Sequence, residues 1–302
     1  MVKDINYIYL HSVEHSGSTL VACLLGAHPS VSTVGEFTID FSQEGKCSCG
    51  SPYTECQLWQ MWKSKSIENE IDFRIGNLEI NLQPKHNNDR FEDLFYYHFN
   101  SKLFDQMKRF LFKKTKYYKS VEKKIDKYLM LSQQLCEIDN TSIFLDTSKN
   151  PYQASFMAQH PKIKIKLISL VRDGRAVMNS LIEKEKYTPI HAINAWKWGN
   201  RNIERIKKNY FESENIFELK LEDLCHHPEE IKKQLFEFIG VNYVDSIDYT
   251  DKKNRHIVGN YMRHKFDGTI RKTDSVWKTQ LSKANLSLFE AEAGKMNKRY
   301  GY

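Results

Sequence analysis

Four short segments of the chain concentrate side chains that can bind or move charged groups. The first, Ser12-Val13-Glu14-His15-Ser16-Gly17-Ser18-Thr19, is a polar, glycine-containing turn between a β-rich run, Ile5 to Leu10, and an apolar segment, Leu20 to Ala27. A strand, a tight loop and the first turn of a helix leave backbone N–H groups converging on one spot, where the helix dipole also favours an anion. Laid on the nucleotide-binding pattern G-x-x-x-x-G-K-[ST], Gly17 and Thr19 match, whereas Ser12 replaces the first glycine and Ser18 the lysine. The loop therefore suits an anion less charged than the end of a nucleoside triphosphate, held without magnesium. A Ser/Gly turn that merely caps a helix is the structural alternative.

The other three segments supply a carboxylate and cations. Glu36 follows Val31-Ser32-Thr33-Val34-Gly35, a short strand, and a carboxylate at a strand's end can take a proton from a hydroxyl or amine. Lys149 follows the strand-like Ile143-Phe144-Leu145-Asp146 and precedes the helix-opening Pro151, so its ammonium is expected at the same edge. Arg172 ends a long strand, Ile163 to Val171, and Ser180 lies eight residues on, about two helical turns away, so both can face one anion. Asp146 is expected to order its loop and Asp173 to pair with a neighbouring arginine.

These segments need a frame. Strands alternate with helices expected over about 174–183, 190–208 and 228–239, with a further strand at 216–221, which means a parallel sheet covered on both faces. The predicted fold class is α/β, a P-loop NTPase-like three-layer arrangement in one domain over 1–302. Residues 42–140 break the alternation with long polar helical stretches and read as a helical insertion that, with the C-terminal tail, shapes a second substrate's pocket. In such folds ligands sit beyond the carboxyl ends of the strands.

Composition narrows the possibilities. The 302 residues are 40% hydrophobic and 13% aromatic, which excludes wholesale disorder, collagen-like and coiled-coil chains. No apolar run approaches the ~18–20 residues a membrane-spanning helix needs. The first residues lack a basic region followed by an apolar core, so a signal peptide is not expected and the cytoplasm is the expected location. The formal charge of +7 favours anionic partners without specifying them.

The loop and its companions resemble a known family. His15-Ser16-Gly17-Ser18-Thr19-Leu20, then Gly26-Ala27-His28-Pro29 and Val34-Gly35-Glu36, are similar to the 5′-phosphosulfate loop of sulfotransferases that use 3′-phosphoadenosine 5′-phosphosulfate (PAPS), above all the bacterial branch and the tyrosylprotein and carbohydrate enzymes. Asp146 to Pro151, Val171 to Val177 with Ser180, and Leu221-Glu222-Asp223-Leu224 before His227-Pro228 follow in that family's order. The resemblance implies that PAPS is the donor and that Ser16, Gly17, Ser18, Thr19 and Leu20 hold its 5′ end. It further implies that Arg172 and Ser180 take the 3′-phosphate, that Lys149 neutralises the transferring sulfonate, and that Glu36 is the general base. His15 stands where many relatives carry Arg or Lys, and its charge should fade as pH rises through its titration. Gly259-Asn260-Tyr261-Met262-Arg263 and Thr273 to Lys278 are similar to a late segment that folds over the nucleotide, which makes Arg263 a candidate for the 3′-phosphate and Trp277 for the site wall.

A small metabolite bearing a hydroxyl or amine, such as a secondary product, is the expected acceptor, ahead of a carbohydrate or a protein tyrosine. A nucleotide kinase is disfavoured by the absent loop lysine, and a nucleic-acid or membrane partner is not expected. Cys47, Cys49 and Cys56 stand at metal-like spacing, but no fourth ligand is obvious nearby. They read as a local clip or thiol cluster, with a zinc site as the alternative, and no metal is expected in the reaction. The basic run Lys108 to Lys127 reads as a solvated helix face, and Trp196 and Trp198 as packing residues.

Overall fold

The computed structural model describes residues 5–84, 89–244, 247–249, 256–271 and 276–302. The chain enters as β1 (Asn6–His11), buried along all but its first residue. Successive side chains of a strand point to opposite faces. Tyr7 and Tyr9 accordingly join one apolar cluster, while Ile8 and Leu10 join another. A strand apolar on both sides belongs in the middle of a covered sheet, and β1 takes that place.

Helix α1 (Ser18–Gly26) and the short β2 (Val31–Ser32) follow. Four helices then intervene: α2 (Gln57–Glu68), α3 (Arg90–Tyr96), α4 (Lys102–Phe112) and α5 (Lys116–Ile138). They occupy the stretch expected to be a helical insertion. The α/β alternation resumes with β3 (Ile143–Asp146), α6 (Pro151–Met157), β4 (Lys164–Val171), α7 (Gly174–Glu185), α8 (Pro189–Tyr210) and β5 (Ile216–Lys220). The last helices are α9 (Leu221–His226), α10 (Pro228–Ile239), α11 (Val276–Gln280) and α12 (Lys283–Arg299).

The five strands are parallel, in the order β2-β3-β1-β4-β5. Trp59 and Trp62 of α2, Tyr128 of α5 and Ile203 of α8 cover one face. Val21 and Leu24 of α1, Leu224 of α9 and Phe236 of α10 cover the other. This is the three-layer, P-loop NTPase-like arrangement expected. A third cluster joins Val177 of α7, Trp196 of α8 and Phe289 of α12, and pins the C-terminal helix to the pair that follows β4.

Two expectations need correction here. Trp196 is fully buried, but Trp198 is 56% exposed, because residues two apart on a helix face different ways. The start of the basic run is not solvated: Lys108 is buried and donates to the carbonyls of Phe95 and Tyr97. Arg109 beside it stacks on the rings of Phe156 and Tyr210, at 4.4 and 4.8 Å. Arg109 thereby binds the insertion to α6 and α8, while Lys108 ties α4 to the end of α3 within it.

One core hydroxyl ties the sheet to the loop after β3. Tyr9 Oη donates to the Asn150 carbonyl and accepts from the Asn150 N–H, both at 2.8 Å. Tyr9→Phe strips both backbone groups of their partner. Urea unfolding should show a loss of about 1–3 kcal/mol; an unchanged midpoint would mean that the loop is held elsewhere.

Candidate active site

In a parallel sheet all carboxyl ends lie along one edge, and here β1 is the strand from which the chain departs to either side. The loops after β1, β2, β3 and β4 therefore meet beyond β1, at the switch point where open α/β sheets bind ligands. They bring His15, Gly17, Ser18, Thr19, Glu36, Lys149 and Arg172 around one cavity of about 410 Å³. Every one of these was expected from the sequence, over a separation of more than a hundred residues.

The β1–α1 loop is shaped for an anion. Gly17, the residue before α1, has φ +95°, and a Cβ there would lie 2.6 Å from Leu221 Cδ1. Glycine is the residue that takes this conformation without strain. No side chain caps the N-terminus of α1, so the N–H groups of its first turn face the cavity without an internal acceptor. Arg172 lies across the loop and donates from one terminal nitrogen to the His15 carbonyl at 2.7 Å. Its buried Nε has no partner.

His15 itself has φ +59°, and its Nε2 lies 3.0 Å from Glu185 Oε1. Burial pushes the imidazole below its usual 6.5, against the opposing pull of the Glu185 hydrogen bond. The sign matters. With its folded value below 6.5, the ring is neutral at neutral pH, so His15 does not replace a permanent cation there. Lys149, Arg172 and Lys184 supply the positive charge at the cavity.

Glu36 and Lys149 form a close ion pair, 2.6 Å apart and mostly buried. The loops that carry them are laced together. Thr147 N–H donates to the Gly35 carbonyl at 3.0 Å, and Thr38 N–H to Ser148 Oγ at 2.9 Å. Asp146, fully buried, accepts from the Ser148 N–H at 2.8 Å, from the Ser148 hydroxyl, and from Tyr128 Oη at 3.0 Å. It orders the loop, as expected, and burial raises its carboxyl to about 6. Asp173 likewise pairs with Arg175, at 2.7 Å, and caps α7.

A second cavity, of about 580 Å³, opens on the far side of the ion pair, and Glu36 and Lys149 line both. Its walls include Tyr152, Leu181, Tyr187 and Trp198, with Asn81 and Gln83 contributed by the insertion. At its base, burial pushes His11 down to about 3, so this imidazole is neutral. The sequence reading expected a second pocket shaped by the insertion and the tail, but not these other walls. Their only signal in the sequence was the two-residue offset of Trp198 from the buried Trp196.

Four expected donor residues do not line the first cavity. Ser16 is buried beneath the loop. Leu20 packs against the cluster on the α1 face. Ser180, two turns into α7, reaches neither cavity. Arg263 donates to the carbonyls of Gly259 and Lys46; its neighbours Asn260 and Met262 reach the cavity instead. The tail thus walls the first cavity and the insertion the second, a division the sequence reading did not make. Trp277 lies under the Arg175 guanidinium, 4.3 Å away, and lines neither cavity. Thr273, Asp274 and Ser275 fall outside the described residues.

Among the described residues, no helix is long and apolar enough to cross a membrane. No curated protein matches the sequence significantly. The structure is similar to the sulfotransferase domain of an olefin synthase from Synechococcus PCC 7002, at 18% identity over 99% of this chain and 96% of that one, with a TM-score of 0.53. A sulfotransferase from Mycobacterium tuberculosis H37Rv aligns at 13% identity over 97% and 78% of the two chains, with a TM-score of 0.49. The first likeness supports the fold alone. Residues 8–245 match the family model described as "Sulfotransferase family", and by that match over most of its length the chain belongs to the sulfotransferases.

Proposed function

We propose that the protein moves the sulfuryl group of PAPS, in line, to a hydroxyl or amine of a small-molecule acceptor, with Glu36 as general base. The observation that carries this reading is the Glu36–Lys149 pair standing as the common wall of two cavities. Donor in one and acceptor in the other would meet at that wall.

The donor supplies an activated sulfuryl group. The first-turn N–H groups of α1 and the Ser18 and Thr19 hydroxyls hold the 5′-phosphate. The uncapped start of α1 fits this anion. As the S–O bond to the phosphate breaks and the acceptor oxygen or nitrogen bonds to sulfur, the acceptor's proton passes to Glu36. Lys149 neutralises charge on the transferring sulfonate, and such electrostatic stabilisation is the largest contribution expected in a loose transfer. The second cavity's mix of aromatic walls and carboxamides suits a compact, partly apolar acceptor. Arg172, whose buried Nε has no partner, is the donor-side anchor for the 3′-phosphate.

Thermal-shift measurements test the donor. The desulfated nucleotide 3′-phosphoadenosine 5′-phosphate should stabilise the protein more than AMP, ADP or ATP with magnesium, and Arg172→Ala should erase that preference. Equal stabilisation by AMP in the wild type would remove the 3′-phosphate from the reading. Glu36→Gln should lower kcat by about 10²–10⁴-fold, while the nucleotide shift persists; turnover near the wild-type level would exclude the base.

The neutral His15 gives a pH signature opposite to that of a required cation. His15→Gln, which cannot ionise, should track wild-type kcat/KM in neutral and alkaline buffer. The two profiles should separate only below pH 6.5, where the wild-type ring begins to charge. A large gap at alkaline pH would show that the imidazole acts in its neutral form.

A further inference from the structure

Cys47, Cys49 and Cys56 gain their fourth partner from the other end of the chain. His256, two hundred residues beyond Cys56, places its Nδ1 3.4 Å from Cys47 Sγ and 3.2 Å from Cys56 Sγ. Cys49 Sγ and Cys56 Sγ are 3.7 Å apart, and all four donor atoms lie within 4.8 Å of one another. The sequence expectation of a clip without a fourth ligand is corrected by this contact. We propose that the cluster is a structural Cys3His site for zinc(II), which fastens the C-terminal strap to the insertion and to the wall of the active site.

The spacing fits a metal better than a disulfide. Zinc bonds of about 2.3 Å to sulfur and about 2.0–2.1 Å to nitrogen, at tetrahedral angles, leave sulfurs about 3.8 Å apart and sulfur and nitrogen about 3.6 Å apart. The separations of 3.2, 3.4 and 3.7 Å lie near those edges, and the remaining ones are within 4.8 Å. A disulfide brings its sulfurs to about 2.05 Å and uses two thiols, leaving the third and the imidazole in the same small space. Three thiolates and one imidazole are a soft donor set that selects zinc over magnesium or calcium. Four ligands close the shell, as in structural rather than catalytic sites.

The backbone around the sulfurs is built to present them. Cys47 N–H donates to the Ser51 carbonyl and Gly50 N–H to the Cys47 carbonyl, both at 2.9 Å. Gly50, at φ +100°, turns the chain back, and Lys46 and Pro52 close the hairpin as an antiparallel bridge. Cys56 stands at the N-terminus of α2, where the dipole favours a thiolate. Cys47 and Cys56 are buried, so the ligand set is shielded from bulk solvent on the insertion side.

The histidine comes from a segment already in register with the site. Ile257 N–H donates to Ser48 Oγ at 2.7 Å, and Val258 N–H to the Val34 carbonyl at 2.7 Å. Val258 bridges Gly35. A Cβ on Gly259 would stand 3.3 Å from the Glu36 carboxylate, and Asn260 and Met262 line the first cavity. A metal at the cysteines thus holds, one residue at a time, the strap that borders Glu36. The metal site stands by itself; its effect on turnover rests on the function proposed above.

The test starts with the full chain purified without a polyhistidine tag or chelator. Elemental analysis should find about one zinc per chain. Exchange for cobalt(II) should give an intense thiolate-to-metal charge-transfer band and the visible spectrum of a tetrahedral ion. His256→Ala and Cys49→Ser should lose the metal, His256→Cys should retain it with a cobalt spectrum shifted toward four sulfurs, and Cys23→Ser should be unaffected. Less than half an equivalent of zinc in wild type grown with zinc, a Cys49–Cys56 disulfide in its place, or full zinc retained in His256→Ala would overturn the site. If Cys49→Ser fails to fold, the wild-type cobalt spectrum and the two His256 variants decide. Because metal content is read without turnover, a protein that binds zinc but transfers no sulfuryl group would refute the proposed activity and leave this site standing.

Discussion

The ion pair between Lys149 and Glu36 is the contact around which the site is organised. Both side chains are largely withdrawn from water, so each carries a desolvation cost that the other offsets, and removing one alone strands the other. Two loops must therefore be held to within a fraction of an ångström of each other. The means are visible in the fold: β1 fixes the height of the loop after β3 through Tyr9 and Asn150, and the hydrogen bonds of Thr147 and Ser148 tie that loop to residues 35–38. Under the proposed reaction the pair also sets an order. A donor anion arriving beside Lys149 competes with Glu36 for the ammonium, leaving a less fully paired carboxylate facing the acceptor cavity.

What the sequence made legible follows from how local each signal was. The β1–loop–α1 unit, the helix opened at Pro151, and α10 starting at Pro228 and stopped by Gly240 are each specified by neighbouring residues. The carboxyl edge was legible too, since a parallel sheet sends every strand-end loop to the same side. Side-chain direction within that edge was not. Arg263 and Asn260 sit three residues apart on one short turn, and only their hydrogen bonds decide that the first braces the insertion while the second reaches the cavity. Ser180 was placed by spacing along a helix, and spacing fixes the helix face but not how far that face lies from the ligand.

The features with no local signal are those made by contact between distant segments. Nothing near Cys56 hints at His256. The His11 ring belongs to an ordinary-looking strand, and burial between layers is what holds it neutral. The second cavity is assembled from the β1 loop, the insertion, the start of α6 and the exposed side of α8. Each contributes only a few residues, so no stretch of sequence carries a motif for it. The donor side of a transferase can be recognised from a loop; the acceptor side exists only after folding.

Backbone strain points to the same place by an independent route. Outside glycine, positive φ is uncommon because the Cβ crowds the neighbouring carbonyl. Of the residues that adopt it here, His15 and Lys149 both border the first cavity, at φ +59° and +60°. Each lies in the loop directly after a buried strand, where the surrounding hydrogen bonds are dense enough to enforce the conformation. Such strain persists only where the rest of the structure over-determines it. The left-handed turn at His15 presents its carbonyl to Arg172, and the one at Lys149 precedes the cap of α6 at Asn150. A relaxed backbone at either position would re-aim the residue and separate the charges that the ion pair and the guanidinium now hold at the edge of one cavity.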